Sequence, residues 1–178
     1  MKKLIRKILE YLRGEPQHIG KLYKRGLRTG KNFKRMGGVI IDPSHCYHIT
    51  IGDNVVLAPR VHILAHDAST GIFFGKTRAA NVVIGNQVFI GAGSIILPGV
   101  HIGNRVIIGA GSIVTKDISD NSVAAGNPAK VICSIDDYLE QEKKKMQPEN
   151  TFVGIGFDPD NIAEAVAAAE KYGEIFVS

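Results

Sequence analysis

Six histidines, His18, His45, His48, His62, His66 and His101, are the residues of this 178-residue chain best suited to moving a proton near neutral pH, because imidazole has a reference pKa of about 6.5. His66 differs from the rest by position. It ends a regular run of six-residue units and immediately precedes a stretch that breaks them, and loops that leave a regular scaffold commonly carry function. That makes it the candidate general base, with a surface histidine at a corner as the plain alternative. Three imidazoles also invite a zinc reading, since His62 and His66 are four residues apart and His101 lies further on. His62 and His101 are sixth in their units and His66 fourth, so convergence does not follow from spacing. Cys46 and Cys133 share no metal-ligand spacing and read as reduced thiols of a cytosolic protein.

The elements that must position His66 are written in the repeat. From Ile84 the chain runs IGNQVF, IGAGSI, ILPGVH, IGNRVI, IGAGSI, VTKDIS, with anchors at Ile84, Ile90, Ile96, Ile102, Ile108 and Val114. An upstream block, IGDNVV, LAPRVH, ILAHDA, keeps the period at Ile51, Leu57 and Ile63. A six-residue period is not helical; it suits a short strand plus a bend, with one aliphatic side chain per unit turned inward. Glycine after four of the six later anchors supplies backbone freedom or close approach at the bend. Three units make a coil of 18 residues, and coils stacked as parallel strands roughly 4.8 Å apart make a solenoid. The repeat breaks between Ile63 and Ile84, where 67–81 holds Phe73, Phe74, Lys76 and Arg78 and reads as an extruded loop. His45 falls where an aliphatic anchor is expected, so the first coil is less regular.

Both ends differ from this body. Residues 1–36 hold twelve Lys/Arg against two Glu, whereas the remainder holds ten against fifteen acids. In this basic, partly helical arm, Leu4, Ile5, Ile8, Leu9 and Leu12 form an apolar stripe. The stripe is expected to pack on the body or on a neighbouring subunit; an anionic membrane surface is the second candidate partner. Charges interrupt it too often for a signal peptide, and nothing reaches the roughly 18 apolar residues of a spanning helix, which points to a cytoplasmic protein. No nucleic-acid reading motif accompanies the charge. The body is 37–133, and 134–178 is a helical extension. Ser134 with Asp137 opens one helix through Met146, and Asp158–Pro159 opens a second that stops at Gly173. These helices are expected to cover an open edge of the solenoid or a neighbour.

The hexads, with GAGSIVTKDISDNSVAAGNPAKVI at 109–132, resemble the hexapeptide-repeat acyltransferase superfamily. Within it the galactoside/maltose O-acetyltransferases and capsule-polysaccharide acetyltransferases are the nearest in pattern, over about Val39 to Ile132. The resemblance implies a mainly β chain folded as a left-handed parallel β-helix. The hand comes from the resemblance alone, since right-handed crossovers are the rule for parallel strands. It also implies an acetyl-CoA-dependent O-acetyltransferase acting on a sugar or saccharide, homotrimers with sites between subunits, and no required metal.

Carried onto this sequence, the resemblance matches His66, in ILAHDAS, to the catalytic histidine. Ala92 and Ala110 take small-residue positions along the pantetheine arm, Thr115 and Lys116 the positions near the nucleotide end, and Lys130, in NPAK, a phosphate-binding basic position. Solvated corner lysines are the alternative for Lys116 and Lys130. Galactoside acetyltransferases carry an arginine where this chain has Cys133. A backbone N–H near the Ile90–Gly93 bend is the candidate oxyanion donor. Asp67 is placed to orient His66, to touch the acceptor or to stand as a solvated loop acid. His45 and His48, with Tyr47 between them, are tentative acceptor contacts. Competing readings are N-acetylation of an amino-sugar nucleotide, a zinc carbonic anhydrase on the same solenoid, and a non-catalytic scaffold.

Overall fold

The computed structural model describes residues 19–152 and 159–177. The apolar stripe of Leu4–Leu12, His18 and Asp158 lie outside them. The chain forms two compact units, through Ile135 and from Asp136 onward.

In the first unit, helix α1 (Ile19–Lys24) leads into three sheets visited in turn, all of their pairs parallel but the last of the second sheet. The first sheet holds β1 (Arg28–Thr29), β4 (Ile49–Ile51), β9 (Val82–Ile84) and β12 (His101–Ile102). The second holds β2 (Lys34–Arg35), β5 (Val56–Leu57), β10 (Val88–Ile90), β13 (Val106–Ile108), β15 (Ser122–Gly126) and β16 (Ala129–Ser134). The third holds β3 (Ile40–Ile41), β6 (His62–Ile63), β11 (Ile95–Ile96) and β14 (Ile113–Val114). Each coil therefore gives one short strand to each sheet. Ile51, Ile84 and Ile102 stack in the first sheet, Leu57, Ile90 and Ile108 in the second, and Ile63, Ile96 and Val114 in the third. All nine anchors are at most 2% exposed.

Two features go beyond the expected single inward side chain per unit. A second buried column stands two residues before the anchors, as Val82, Val88, Val100 and Val106. Ser94 and Ser112 take the same position, and their hydroxyls donate to the Gly109 carbonyl at 3.0 and 2.6 Å. The glycine that follows an anchor is there for close approach: a Cβ on Gly85 would lie 2.6 Å from the Gly103 carbonyl oxygen. Beside it runs a corner ladder. The carboxylate of Asp53 and the amide oxygens of Asn86 and Asn104 accept the backbone N–H of Lys31, Asp53 and Asn86, at 2.6–2.9 Å.

The stacking starts at Arg28, inside the segment assigned to the arm, because β1 pairs with β4 and β2 with β5. Thr29 and Arg35 stand at the anchor positions there, so an anchor search misses the coil. Leu27, Phe33 and Val39 continue the second column and pack into the core. At 45 the anchor is replaced by a 3₁₀ turn, Cys46–His48. Cys46 fills the core, its thiol directed at the Leu22 carbonyl at 3.6 Å. After β15 the chain reverses, and β16 lies antiparallel on it at the edge of the second sheet.

The extruded segment is a hairpin. Strands β7 (His66–Asp67) and β8 (Arg78–Ala79) pair antiparallel around helix α2 (Gly71–Phe74). Ile72, Phe73 and Phe74 on that helix are 85, 75 and 73% exposed. The second unit holds most of helix α3 (Ile135–Lys145), then β17 (Thr151–Phe152), helix α4 (Pro159–Tyr172) and β18 (Phe176–Val177), with β17 and β18 parallel. Gly173, at φ +83°, ends α4 and donates to the Ala169 carbonyl at 2.8 Å, as a left-handed stop should. Among the described residues no helix is long and apolar enough to cross a membrane.

Candidate active site

The site is built where the first two coils leave the third sheet. Asp42 follows β3, and its backbone N–H donates to the Ile63 carbonyl at 2.8 Å, which locks its height against the next coil. Its side chain is fully buried. One carboxylate oxygen accepts the backbone N–H groups of Ser44 and His45 at 3.0 Å, and the other accepts that of Ala65 at 3.0 Å. That second oxygen also takes the Nδ1–H of His66 in a very short hydrogen bond. Burial pushes the Asp42 carboxyl up, but the bonds from His66 and the three backbone N–H groups outweigh it. They hold the carboxyl below the usual carboxylate value. An ionised Asp42 can only accept, so it fixes the proton of neutral His66 on Nδ1 and leaves a lone pair on Nε2. Such a ring is oriented, mounted on the scaffold and 30% exposed, the requirements for a general base.

Asp42 was missed in the sequence. Of the three readings of Asp67, the one in which it orients His66 gives way to Asp42, which holds the ring. Asp67 faces its own turn, where one carboxylate oxygen accepts the Ser69 N–H at 2.8 Å. Hydrogen bonds from Ser69, with the charges of Arg78 opposite on β8 and of the adjacent His66, hold its carboxyl low. The available signal was Asp42's place directly after Ile41, which pairs with Ile63 one coil on.

Of the acceptor candidates, His45 packs its ring on that of His66, with centroids 4.4 Å apart. Tyr47 and His48 continue the row, with ring centroids 4.6 Å apart. His48 Nδ1 donates to Asn81 Oδ1 at 2.7 Å, which ties the 3₁₀ turn to the end of the hairpin. The proposed zinc trio does not assemble in this way. His62 pairs with Ile40 and Ile95 in the third sheet, while His101 pairs with Val83 in the first and has Asp117 3.8 Å from its ring.

The cofactor candidates occupy two edges. The turn after the third sheet carries His66, then Leu97–Pro98, then Thr115–Lys116 in successive coils. The turn before that sheet carries Ala92 and Ala110, joined by the Gly111 N–H donating to the Ala92 carbonyl at 2.8 Å. One residue earlier in the same turn, Ala125 stands level with Gly109, and Lys130 stands opposite Ala125 on β16. So within one chain His66 shares an edge with Thr115 and Lys116, while Ala92, Ala110 and Lys130 stand on the opposite edge of the sheet. In the Ile90–Gly93 bend the Gly91 and Gly93 N–H groups are spent on the Ile108 and Pro59 carbonyls, which removes both as oxyanion donors.

Residues 81–116 match the family model for the bacterial transferase hexapeptide (six repeats). Protein CapG of Staphylococcus aureus is 43% identical over 146 residues, covering 78% of this chain and 81% of that protein. Galactoside O-acetyltransferase of Escherichia coli (strain K12) is 43% identical over 122 residues, 65% of this chain and 57% of the relative. A solved galactoside acetyltransferase in complex with coenzyme A superposes with a TM-score of 0.54 at 30% identity, covering 78% of this chain and 83% of that one. The register of the hexads through three stacked sheets and these identities together place the chain in the hexapeptide-repeat transferase family.

Proposed function

We propose that this protein transfers the acetyl group of acetyl-CoA to a hydroxyl of a sugar or saccharide, with His66 as general base and Asp42 holding it in the productive tautomer. The observation that carries the reading is the His66–Asp42 pair. A buried carboxylate that already accepts three backbone N–H groups has no structural need for a partly exposed histidine as a further partner, whereas a base must have its second nitrogen free. The similarity to galactoside O-acetyltransferases supports the chemistry.

Nε2 of His66 takes the proton of the acceptor hydroxyl as its oxygen attacks the acetyl carbonyl carbon. The tetrahedral intermediate collapses by breaking the C–S bond, and His66 returns the proton to the departing CoA sulfur. No acyl-enzyme forms, so no Ser or Cys nucleophile is required. Asp42 stays ionised and stabilises the imidazolium that exists between the two transfers. The small side chains of Ala92 and Ala110 admit the pantetheine arm, with Thr115, Lys116 and Lys130 toward the nucleotide. The coil winds left-handed. Because His66 and the Ala92–Ala110–Lys130 column occupy different edges, a trimer with cyclic symmetry completes each site by setting one chain's edge against its neighbour's. His45, His48 and Asp67 flank the base on the acceptor side.

The test is CoA thiol release from acetyl-CoA across a panel of saccharides, nucleotide sugars and amino-sugar nucleotides, with the product identified by mass and by the position acylated. Ester formation on a saccharide is expected. Turnover confined to an amine would replace the O-acetyl reading, and no acetyl transfer to any acceptor would end it.

A further inference from the structure

We infer that Asp42, His45 and His66 also form a binding site for a divalent transition-metal ion of the zinc type, and that the bound ion silences the base. The silencing rests on the reading of His66 as general base; the binding does not.

Ligand atoms of the three residues lie within 4.8 Å of one another, the one such grouping of His, Cys, Asp or Glu among the described residues. The second observation is independent of that clustering. Nδ1 of His45 is buried and has no hydrogen-bond partner. A buried ring nitrogen left unpaired is rare in folded proteins and calls for an occupant. This one belongs to a ring that packs 4.4 Å from that of His66. Two imidazoles and one carboxylate are a donor set for zinc, cobalt or nickel rather than for calcium or magnesium, which take oxygen ligands. Three protein ligands with a fourth position open is the coordination of accessible zinc sites.

Zinc–nitrogen and zinc–oxygen bonds of about 2.0–2.2 Å require the ligand atoms to close further, which rotation of the partly exposed His45 and His66 rings supplies. Asp42 needs no rearrangement. One of its oxygens stays on the Ser44 and His45 N–H groups, and the other exchanges the His66 proton for the metal. Those backbone bonds are the outer shell that orients a ligating carboxylate.

The consequence for His66 follows from proton bookkeeping. A metal on Nδ1 uses the lone pair there, so the single proton of the neutral ring must sit on Nε2, where the acceptor hydroxyl has to deliver its own. A metal on Nε2 occupies that lone pair directly. In either case the ring accepts no proton from the acceptor, and acetyl transfer stops until the ion leaves. The metal is therefore an inhibitor of this site and not a participant in the reaction.

The experiment uses the full chain stripped with a chelator. Co²⁺ is titrated in while its visible absorption is followed, then displaced by Zn²⁺; separately, acetyl-CoA thiol release is measured with and without Zn²⁺ for each protein, so that only the ratio is compared. Wild type should bind one ion per chain through this trio, and His45→Gln should weaken binding at least about tenfold, the minimum for losing a metal-site partner. His45→Cys, which keeps a ligand, should retain it. Thermal melts of each variant establish that the compared chains are folded. Equal Co²⁺ affinity in wild type and folded His45→Gln, or weakened binding in His45→Cys to the same degree, would overturn the site. Zinc bound through the trio with turnover untouched would overturn the silencing together with the base reading, and leave the metal site standing.

Discussion

Replacing Asp42 by Asn is the sharpest test of the site, because it changes one atom and one charge in a position with no freedom to adjust. The Asn carbonyl oxygen can keep the bonds from Ser44 and His45. Its NH₂ group then meets two donors, the Ala65 N–H and His66 Nδ1–H, both of which now point at a carboxylate oxygen. The Ala65 N–H is buried and loses its acceptor, which costs about 1–3 kcal/mol; in a chain of this size each kcal/mol lowers Tm by roughly 2–4 °C. The His66 ring escapes the clash by shifting its proton to Nε2, so that Nδ1 accepts from the Asn. That tautomer has no lone pair for the acceptor hydroxyl, and kcat should fall by about 10²–10⁴, the span from a lost general base to a triad carboxylate changed to its amide. The KM for acetyl-CoA should hold, since the side chain of Asp42 bonds the base and its own turn and none of the residues assigned to the cofactor. Steady-state thiol release and thermal melts read both quantities. A folded Asp42→Asn protein with more than about a third of wild-type kcat would refute the tautomer argument. The stability effect has its own pH signature. Its hydrogen bonds hold the folded Asp42 carboxyl below the ordinary carboxylate value, so its contribution is complete above that ordinary value and is lost as pH falls through the lower folded one. Wild-type and Asp42→Asn melting temperatures should converge on that acid limb.

His66→Ala should lower turnover by about 10²–10⁴ with CoA binding intact; loss of CoA binding in isothermal titration would reassign the residue. Lys130→Ala should raise the KM for acetyl-CoA and leave kcat nearly unchanged, because a contact to remote phosphates is equal in ground and transition states. An effect on the sugar KM alone contradicts it. Light scattering should give about 58 kDa, three copies of the 19.2 kDa chain, and mixing inactive His66→Ala with inactive Lys130→Glu subunits should recover activity; a fully active monomer excludes shared sites. Gly85→Ala drives a Cβ against the Gly103 carbonyl, and should destabilise by about 1–3 kcal/mol as overpacking does. An unchanged Tm would mean the coils separate more easily than their hydrogen bonds indicate.

What was legible without coordinates was whatever repeats. The nine anchors, the break after His66, the two C-terminal helices with the Gly173 stop and the resemblance of the GAGSIVTKDIS–NPAK run all follow from local periodicity, caps and motif, which each residue carries in its immediate neighbours. The first coil was hidden because Thr29 and Arg35 occupy its anchor positions, and only the second column, Leu27, Phe33 and Val39, marks it. His66 stands out as a candidate by its place at the edge of the repeat. Its partner does not, because Asp42 is 24 residues away and a turn acid after a strand looks the same in sequence whether it faces water or a neighbouring coil. Stacking decided that. The Asp42 N–H seats on the Ile63 carbonyl, and that single register brings its carboxylate to the Ala65 N–H and the His66 ring while carrying Asp67 away into the hairpin. The same register pressed His45 against His66 with one nitrogen unpaired. Distances between coils are set by the hydrogen bonds of the sheets, and no local pattern along the chain encodes which side chains those bonds bring face to face.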